Sequence, residues 1–216
     1  MPKIRIKDVP AAAHSALDSL PPRQRAILAA AFSVLMDQGY AGASTLEIAT
    51  RAKVSKRELY AEFGSKRGIL EALIASTAAR MQVPLNPPEI GDRHAFTVAL
   101  IRYGVTALSE LTAPPVLAIN RLAVAEAGRS ADLGEILDRR GREPNRKALD
   151  GLIRRAQVAG FIGAGDPDRM AGQFFSLLFG DLILRLLLGV IPPPNAREIK
   201  ERAEAATAAV LALHPA

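Results

Sequence analysis

The sequence predicts an all-α protein: an N-terminal three-helix head containing a helix-turn-helix, joined by a fourth helix to a larger helical domain. Three observations predict it. Of the 216 residues 49% are hydrophobic, dominated by Ala, Leu and Ile, with few aromatics and no alternating runs of the kind that mark strands. Two serine-x-x-glutamate helix starts, Ser44-Thr45-Leu46-Glu47 and Ser55-Lys56-Arg57-Glu58, lie eleven residues apart. The remaining segments of helical period are cut by proline and glycine.

Residues 1 to 20 carry no periodic apolar face and are expected to form a flexible arm. Pro21-Pro22 suit a helix start, and Ile27, Leu28, Ala31, Phe32 and Leu35 recur at helical spacing until Gly39. Each serine-x-x-glutamate has the capping-box pattern, in which the serine hydroxyl accepts a first-turn N–H and the glutamate accepts the serine's own N–H. Between the two boxes there is room for a short helix from Thr45 to about Lys53 and a tight turn, with a second helix from Ser55. That spacing, over about 44 to 63, is the spacing of a helix-turn-helix. Leu46, Ile48, Ala49 and Ala52 are expected to cover its inner face, with Val54, Leu59 and Phe63 filling the angle between the helices. Ser65-Lys66 opens a fourth helix to about Met81, which the Val83-to-Pro88 segment ends. Further helices are expected at 92 to 112, 115 to 128, 131 to 140, 143 to 159, 167 to 189 and 196 to 213.

The outer face of the second short helix points to DNA. Lys56, Arg57 and Tyr60 are left there once Leu59 and Phe63 turn inward, and a helix so furnished fits a DNA groove. The N–H groups and lysine at Ser65-Lys66 suit a phosphate, and Ser44, Thr45, Tyr60 and Lys66 are expected to fix register on the DNA backbone. Lys53 and Ser55 complete the candidate DNA-binding set. The charge is located accordingly: residues 21 to 67 hold eight Lys/Arg against four Asp/Glu, whereas residues 68 to 216 hold seventeen against sixteen. A positive excess confined to one segment is the footprint of polyanion binding. The domain organisation expected is an arm (1–20), a DNA-binding domain (21–67) and a regulatory and dimerisation domain (68–216).

Composition excludes other chemistries. There is no cysteine for a disulfide or thiolate site, and His14, His94 and His214 are scattered, so neither a metal nor a cofactor is expected. Met1 to Asp8 alternates charged with apolar residues and has no signal-peptide core, which predicts a cytoplasmic protein. The apolar run Phe174 to Ile191 carries Asp181 and Arg185 in its middle, unlike a membrane span. An enzyme is not expected. Arg121 with Glu126, and Asp181 with Arg185, have the look of catalytic pairs, but helix-surface ion pairs explain them.

Residues 170 to 188 are apolar nearly all the way round, and Ile199, Ala203, Ala206, Val210 and Leu213 follow spacings of four and three with small residues that allow close approach. Together they predict a homodimer through a four-helix bundle, with Phe174, Leu178, Asp181, Leu182 and Arg185 contributing from the preceding helix. The neutral helical domain is larger than dimerisation needs, which motivates a small-molecule effector. Arg102, Tyr103, Asn120 and Phe175, polar or aromatic on otherwise apolar helices, are the candidate lining residues.

Gly39-Tyr40, Ile48-Ala49, Val54-Ser55, Leu59-Tyr60, Phe63 and Ser65-Lys66 are arranged as in the head of the TetR family of bacterial transcriptional regulators, which this chain resembles over about 45 residues. The larger half resembles the C-terminal domain of AefR-like regulators through Arg121 to Ala127 and the Phe174-to-Leu188 helix. The resemblance implies a homodimeric repressor of double-stranded operator DNA, released by a small ligand. It implies phosphate contacts for Tyr60 and Lys66 and base reading by Lys56 and Arg57. One departure is Lys53, where the family usually has glycine and the backbone often takes a positive φ. A regulator that needs no ligand is the alternative.

Overall fold

A computed structural model describes residues 20–85 and 91–216. The expected arm (residues 1–19 of it) and the breaker Pro87-Pro88 lie outside the described residues. The regular structure among the described residues is all helical: α1 Pro22–Gly42, α2 Thr45–Ala52, α3 Lys56–Phe63, α4 Lys66–Gln82, α5 Arg93–Leu111, α6 Pro114–Glu126, α7 Asp132–Ile136, α8 Glu143–Val158, α9 Pro167–Phe179, α10 Leu182–Leu187 and α11 Ala196–Leu213. A 3₁₀ turn, Val83–Leu85, follows α4, and a π-helical stretch, Leu137–Arg142, follows α7. Among the described residues no helix is long and apolar enough to cross a membrane, and no group of acidic, histidine or cysteine side chains could hold a metal.

The chain forms two compact units, Met1–Thr77 with Pro114–Gly141, and Ala78–Ala113 with Arg142–Ala216. The first holds the helix-turn-helix. Its core runs through Ile27, Leu28, Val34 and Leu35 of α1, Ile48 and Ala49 of α2, Leu59 of α3, Ile69, Leu70 and Ile74 of α4, and on to Ile119 and Ala123 of α6 and Leu133 and Ile136 of α7. That α6 and α7 share this core is not visible in the sequence pattern, since each offers the same short apolar stripe whichever neighbour covers it. Leu46 departs from expectation: it is 63% exposed and lies outside the core. The kink at Gly39 (φ 73°) ends the regular part of α1 and starts the corner that leads into α2.

In the second unit α5 packs along α11, and α9 packs between α8 and α11. Gly104 of α5 makes the close approach possible, because a Cβ there would stand 2.9 Å from the Ala203 Cβ. Tyr103, Phe174, Phe175 and Phe179 form an aromatic cluster with ring centroids 5.6 to 6.3 Å apart along the chain of contacts. The helix expected over 167 to 189 is two helices, broken at Gly180, whose φ of 47° no continuous helix accommodates.

Candidate nucleic-acid interface

The local structure of α2 and α3 follows from their caps. Ser44 Oγ accepts from Glu47 N at 3.1 Å, but the Glu47 carboxylate accepts from Arg51 Nε at 2.8 Å rather than from Ser44 N, so the first capping box is half formed. Arg51 holds Glu47 in this way because it is also anchored elsewhere, donating to Ser33 Oγ at 2.9 Å and Asp37 Oδ2 at 2.5 Å on α1. The second box is complete: Glu58 N donates to Ser55 Oγ at 3.1 Å and Ser55 N to Glu58 Oε2 at 2.8 Å. Ser55 N and Ser55 Oγ, each donating to Glu58 Oε2 at 2.8 Å, hold the Glu58 carboxyl below its ordinary range, the backbone bond most of all. Arg23 lies 3.4 Å from Glu58, and Gln24 donates to Glu62, which ties α1 to α3.

The turn between the helices contains Lys53 at φ 56°, ψ 42°. It is the one non-glycine residue with positive φ among the described residues, so the backbone keeps the left-handed turn although lysine replaces the usual glycine. The side chain gained is a cation exposed beside the start of α3.

The expected residues meet on one surface. Lys53, Lys56, Arg57 and Tyr60 are exposed, as are Ser44 and Ser55. The Tyr60 hydroxyl is 3.1 Å from Thr45 Oγ1, joining the outer sides of α2 and α3, and Lys56 Nζ sits 5.8 Å from the Tyr60 ring centroid. Lys53 and Arg57 have no hydrogen-bond or ion-pair partner among the described residues. Arg23, Arg51 and Arg67 behave oppositely: Arg67 bonds Glu71 at 3.1 Å and stands 3.7 Å from Asp132 and 3.8 Å from Glu135. The paired arginines therefore brace the unit, and the unmatched charge is concentrated at Lys53, Lys56 and Arg57. Two of these cations open α3, where the helix dipole disfavours them. Phosphate oxygens at that end would be favoured by both charge and dipole. Lys66 is half-buried, and its Nζ donates to Tyr40 O at 2.8 Å while lying 4.6 Å over the Tyr40 ring.

Other sequence candidates are placed differently. Phe174, Leu178, Leu182, Ile199, Ala203, Ala206 and Val210 are buried in the chain's own second unit, so they cannot form the outer surface of a bundle; Asp181, Arg185 and Leu213 are exposed. Spacing of four and three marks the stripe that gets covered, and here α5 and α9 cover it. Apolar residues left outside in this unit include Val98, Val158, Leu177, Leu184, Leu188, Val190 and Leu213, with Leu184 60% and Leu188 67% exposed. Asp181 and Arg185 form an exposed i, i+4 pair at 3.6 Å. Of the pocket candidates, Tyr103 and Phe175 come together, edge to face at 6.0 Å. Arg102 is exposed rather than interior, and Asn120 satisfies its amide on the Val116 carbonyl of its own helix at 2.8 Å. The Tyr103 hydroxyl is buried with no hydrogen-bond partner among the described residues, and burial pushes its ionisation well above the ordinary range, which keeps it a neutral donor.

A short capped pair of helices with a left-handed turn, braced by buried apolar residues and paired arginines and presenting unmatched cations, defines a helix-turn-helix DNA-binding protein. Residues 27–73 match the family model for bacterial regulatory proteins of the tetR family, and residues 98–214 match the AefR-like transcriptional repressor C-terminal domain. The chain belongs to the TetR family of DNA-binding transcriptional regulators. It is similar to YvkB of Bacillus subtilis, an uncharacterized HTH-type transcriptional regulator, with 28% identity over 181 residues covering 83% of this chain and 92% of YvkB. A TetR transcriptional regulator from Agrobacterium tumefaciens has a similar structure, with 29% identity, TM-score 0.74 and coverage of 90% of this chain and 95% of that one. So does the flavonoid-responsive regulator FrrA, with 27% identity, TM-score 0.70 and coverage of 89% and 96%.

Proposed function

We propose that this regulator is an effector-responsive repressor, binding a pseudo-palindromic operator as a homodimer. The observation that carries the reading is the exposed surface on which Lys53, Lys56 and Arg57 stand without an ion-pair partner among the described residues, beside Tyr60 and Thr45. Lys56 and Arg57 read base edges, with arginine favouring guanine O6 and N7. Ser44, Thr45, Ser55, Tyr60 and Lys66 set register on phosphates, and Lys53 adds charge there. On this reading residues 21–67 are the DNA-binding domain and 68–216 the regulatory and dimerisation domain, working in the bacterial cytosol. Two heads about 34 Å apart enter successive major grooves.

Dimerisation is supported by a run of apolar side chains that the second unit leaves uncovered across α9, α10 and the segment after them, Leu177, Leu184, Leu188 and Val190. An effector is supported by the Tyr103 hydroxyl, which is costly to bury unpaired and whose ring packs against Phe174 and Phe175. Such surroundings suit an uncharged aromatic molecule with one hydrogen-bonding group, a chemistry that the similar flavonoid-responsive FrrA makes natural.

Binding to the gene's own upstream DNA and to random DNA, followed by fluorescence anisotropy, tests the base-reading role. Arg57→Ala is expected to lose about ten- to a hundredfold of the discrimination between them. Tyr60→Phe and Lys66→Ala are expected to weaken both about equally. An Arg57→Ala protein that keeps the wild-type ratio removes the base-reading assignment.

A further inference from the structure

The corner between α1 and α2 is gripped from two distant points of the chain, and the grip converges on the backbone of one residue. Tyr40 N donates to Glu126 Oε1 at 2.9 Å, and Tyr40 O accepts from Lys66 Nζ at 2.8 Å, the same ammonium that lies over the Tyr40 ring. Gly39, beside it, is crowded by the same carboxylate: a Cβ there would stand 3.1 Å from Glu126 Oε1. Four residues on is Ser44, the cap of α2, and then Thr45, which meets Tyr60. The order of contacts is thus Glu126 to Tyr40, Tyr40 to Lys66, and along the corner to the start of α2.

Glu126 is an unexpected residue to find there. It is the last residue of α6, where the helix dipole disfavours a carboxylate, and it brings negative charge into the unit that must bind a polyanion. Both effects are unfavourable, and both are offset if the carboxylate is needed as an acceptor for the Tyr40 N–H. Lysine has three donors. With one on Tyr40 O, the rest remain for a phosphate, and the direction they take depends on where the Tyr40 peptide is held.

We propose that Glu126 is a positioning residue for DNA binding, holding the Tyr40 peptide so that Lys66 and the first turn of α2 face the DNA backbone. Glu126 lies outside the helix-turn-helix match at 27–73 and within the match at 98–214. A residue of the regulatory half thus contributes to DNA affinity without touching DNA. The inference rests on Lys66 as a phosphate contact.

Charge and geometry give opposite signs, so the full-length protein can decide between them. Affinity for operator and random DNA is measured by anisotropy from 50 to 200 mM salt for Glu126→Ala, Glu126→Gln and Lys66→Ala. Glutamine keeps an acceptor oxygen and loses the charge. Glu126→Ala is expected to weaken binding about tenfold on both DNAs. Its slope of log K against log salt is expected to be shallower by about 0.9 for each lost phosphate contact. Glu126→Gln is expected to keep the wild-type slope and bind at least as tightly as wild type. Glu126→Ala binding as tightly as wild type, or more so, overturns the proposal, and so does Glu126→Gln as weak as Glu126→Ala. Should the alanine variant fail to fold, Glu126→Met, which keeps the side-chain length and lacks the acceptor, takes its place in both comparisons. A Lys66→Ala protein with an unchanged salt slope removes the phosphate role of Lys66, whereas failure of the positioning role leaves that slope change intact.

Discussion

Helices α3 and α11 begin with the same chemistry and are used in different ways. Ser55 with Glu58 and Asn195 with Glu198 are both complete capping boxes. Beyond the cap α3 runs for 8 residues with Leu59 buried, while α11 runs for 18 with Ile199, Ala203, Ala206, Thr207 and Val210 buried. A long helix with a continuous buried stripe is held by packing and can spare its cap. In α3 the cap and one leucine carry most of what fixes it, which is why the rest of its surface is free to carry Lys56, Arg57 and Tyr60.

Three measurements sharpen that contrast, the largest effect first. Leu59→Ala is expected to cost about 2–5 kcal/mol in chemical denaturation and to abolish DNA binding, because the lost contacts and the cavity fall on the one fully buried side chain of α3. Removing the cap comes next. Ser55→Ala is expected to cost about 1 kcal/mol and to weaken operator binding, whereas Asn195→Ala, of similar cost in denaturation, leaves operator binding by the dimer unchanged. Equal losses of DNA affinity would show that both helices depend alike on their caps. The smallest effect is one of pH. Glu58 is held below its ordinary value in the folded protein, so its contribution to α3 is complete above the unfolded value near 4.5 and fades as pH falls through the lower folded value. Helix content followed from pH 6 to pH 3 is expected to show an acid loss that Glu58→Gln lacks.

The same contrast explains what was legible in the sequence. Helix starts were readable because a cap or a proline is a local signal: α1, α2, α3 and α4 begin within a residue of expectation. The positive φ at Lys53 is expected from the resemblance, which puts glycine at that place in the turn. What covers a helical stripe depends on the tertiary fold, and the expectations that failed are of that kind. Ile199, Ala203, Ala206 and Val210 pack within their own unit, and Leu46 is outside where an inner face was expected. The first capping box is half formed because Arg51, fixed by Asp37 and Ser33 from another helix, takes the Glu47 carboxylate. Glu126 looked like half of a surface ion pair with Arg121, and nothing local signals its bond to Tyr40, 86 residues away.

The exposure of Lys56 and Arg57 has a consequence for how such a protein changes over generations. Neither side chain belongs to the core, the cap or the arginine braces, and substitutions at such positions usually shift stability by no more than about 0.5 kcal/mol. If Lys56 and Arg57 read the operator as proposed, the residues that choose it can therefore be exchanged almost without penalty to the fold. A duplicated copy of this gene is free to drift to a new DNA sequence while its scaffold stays the same.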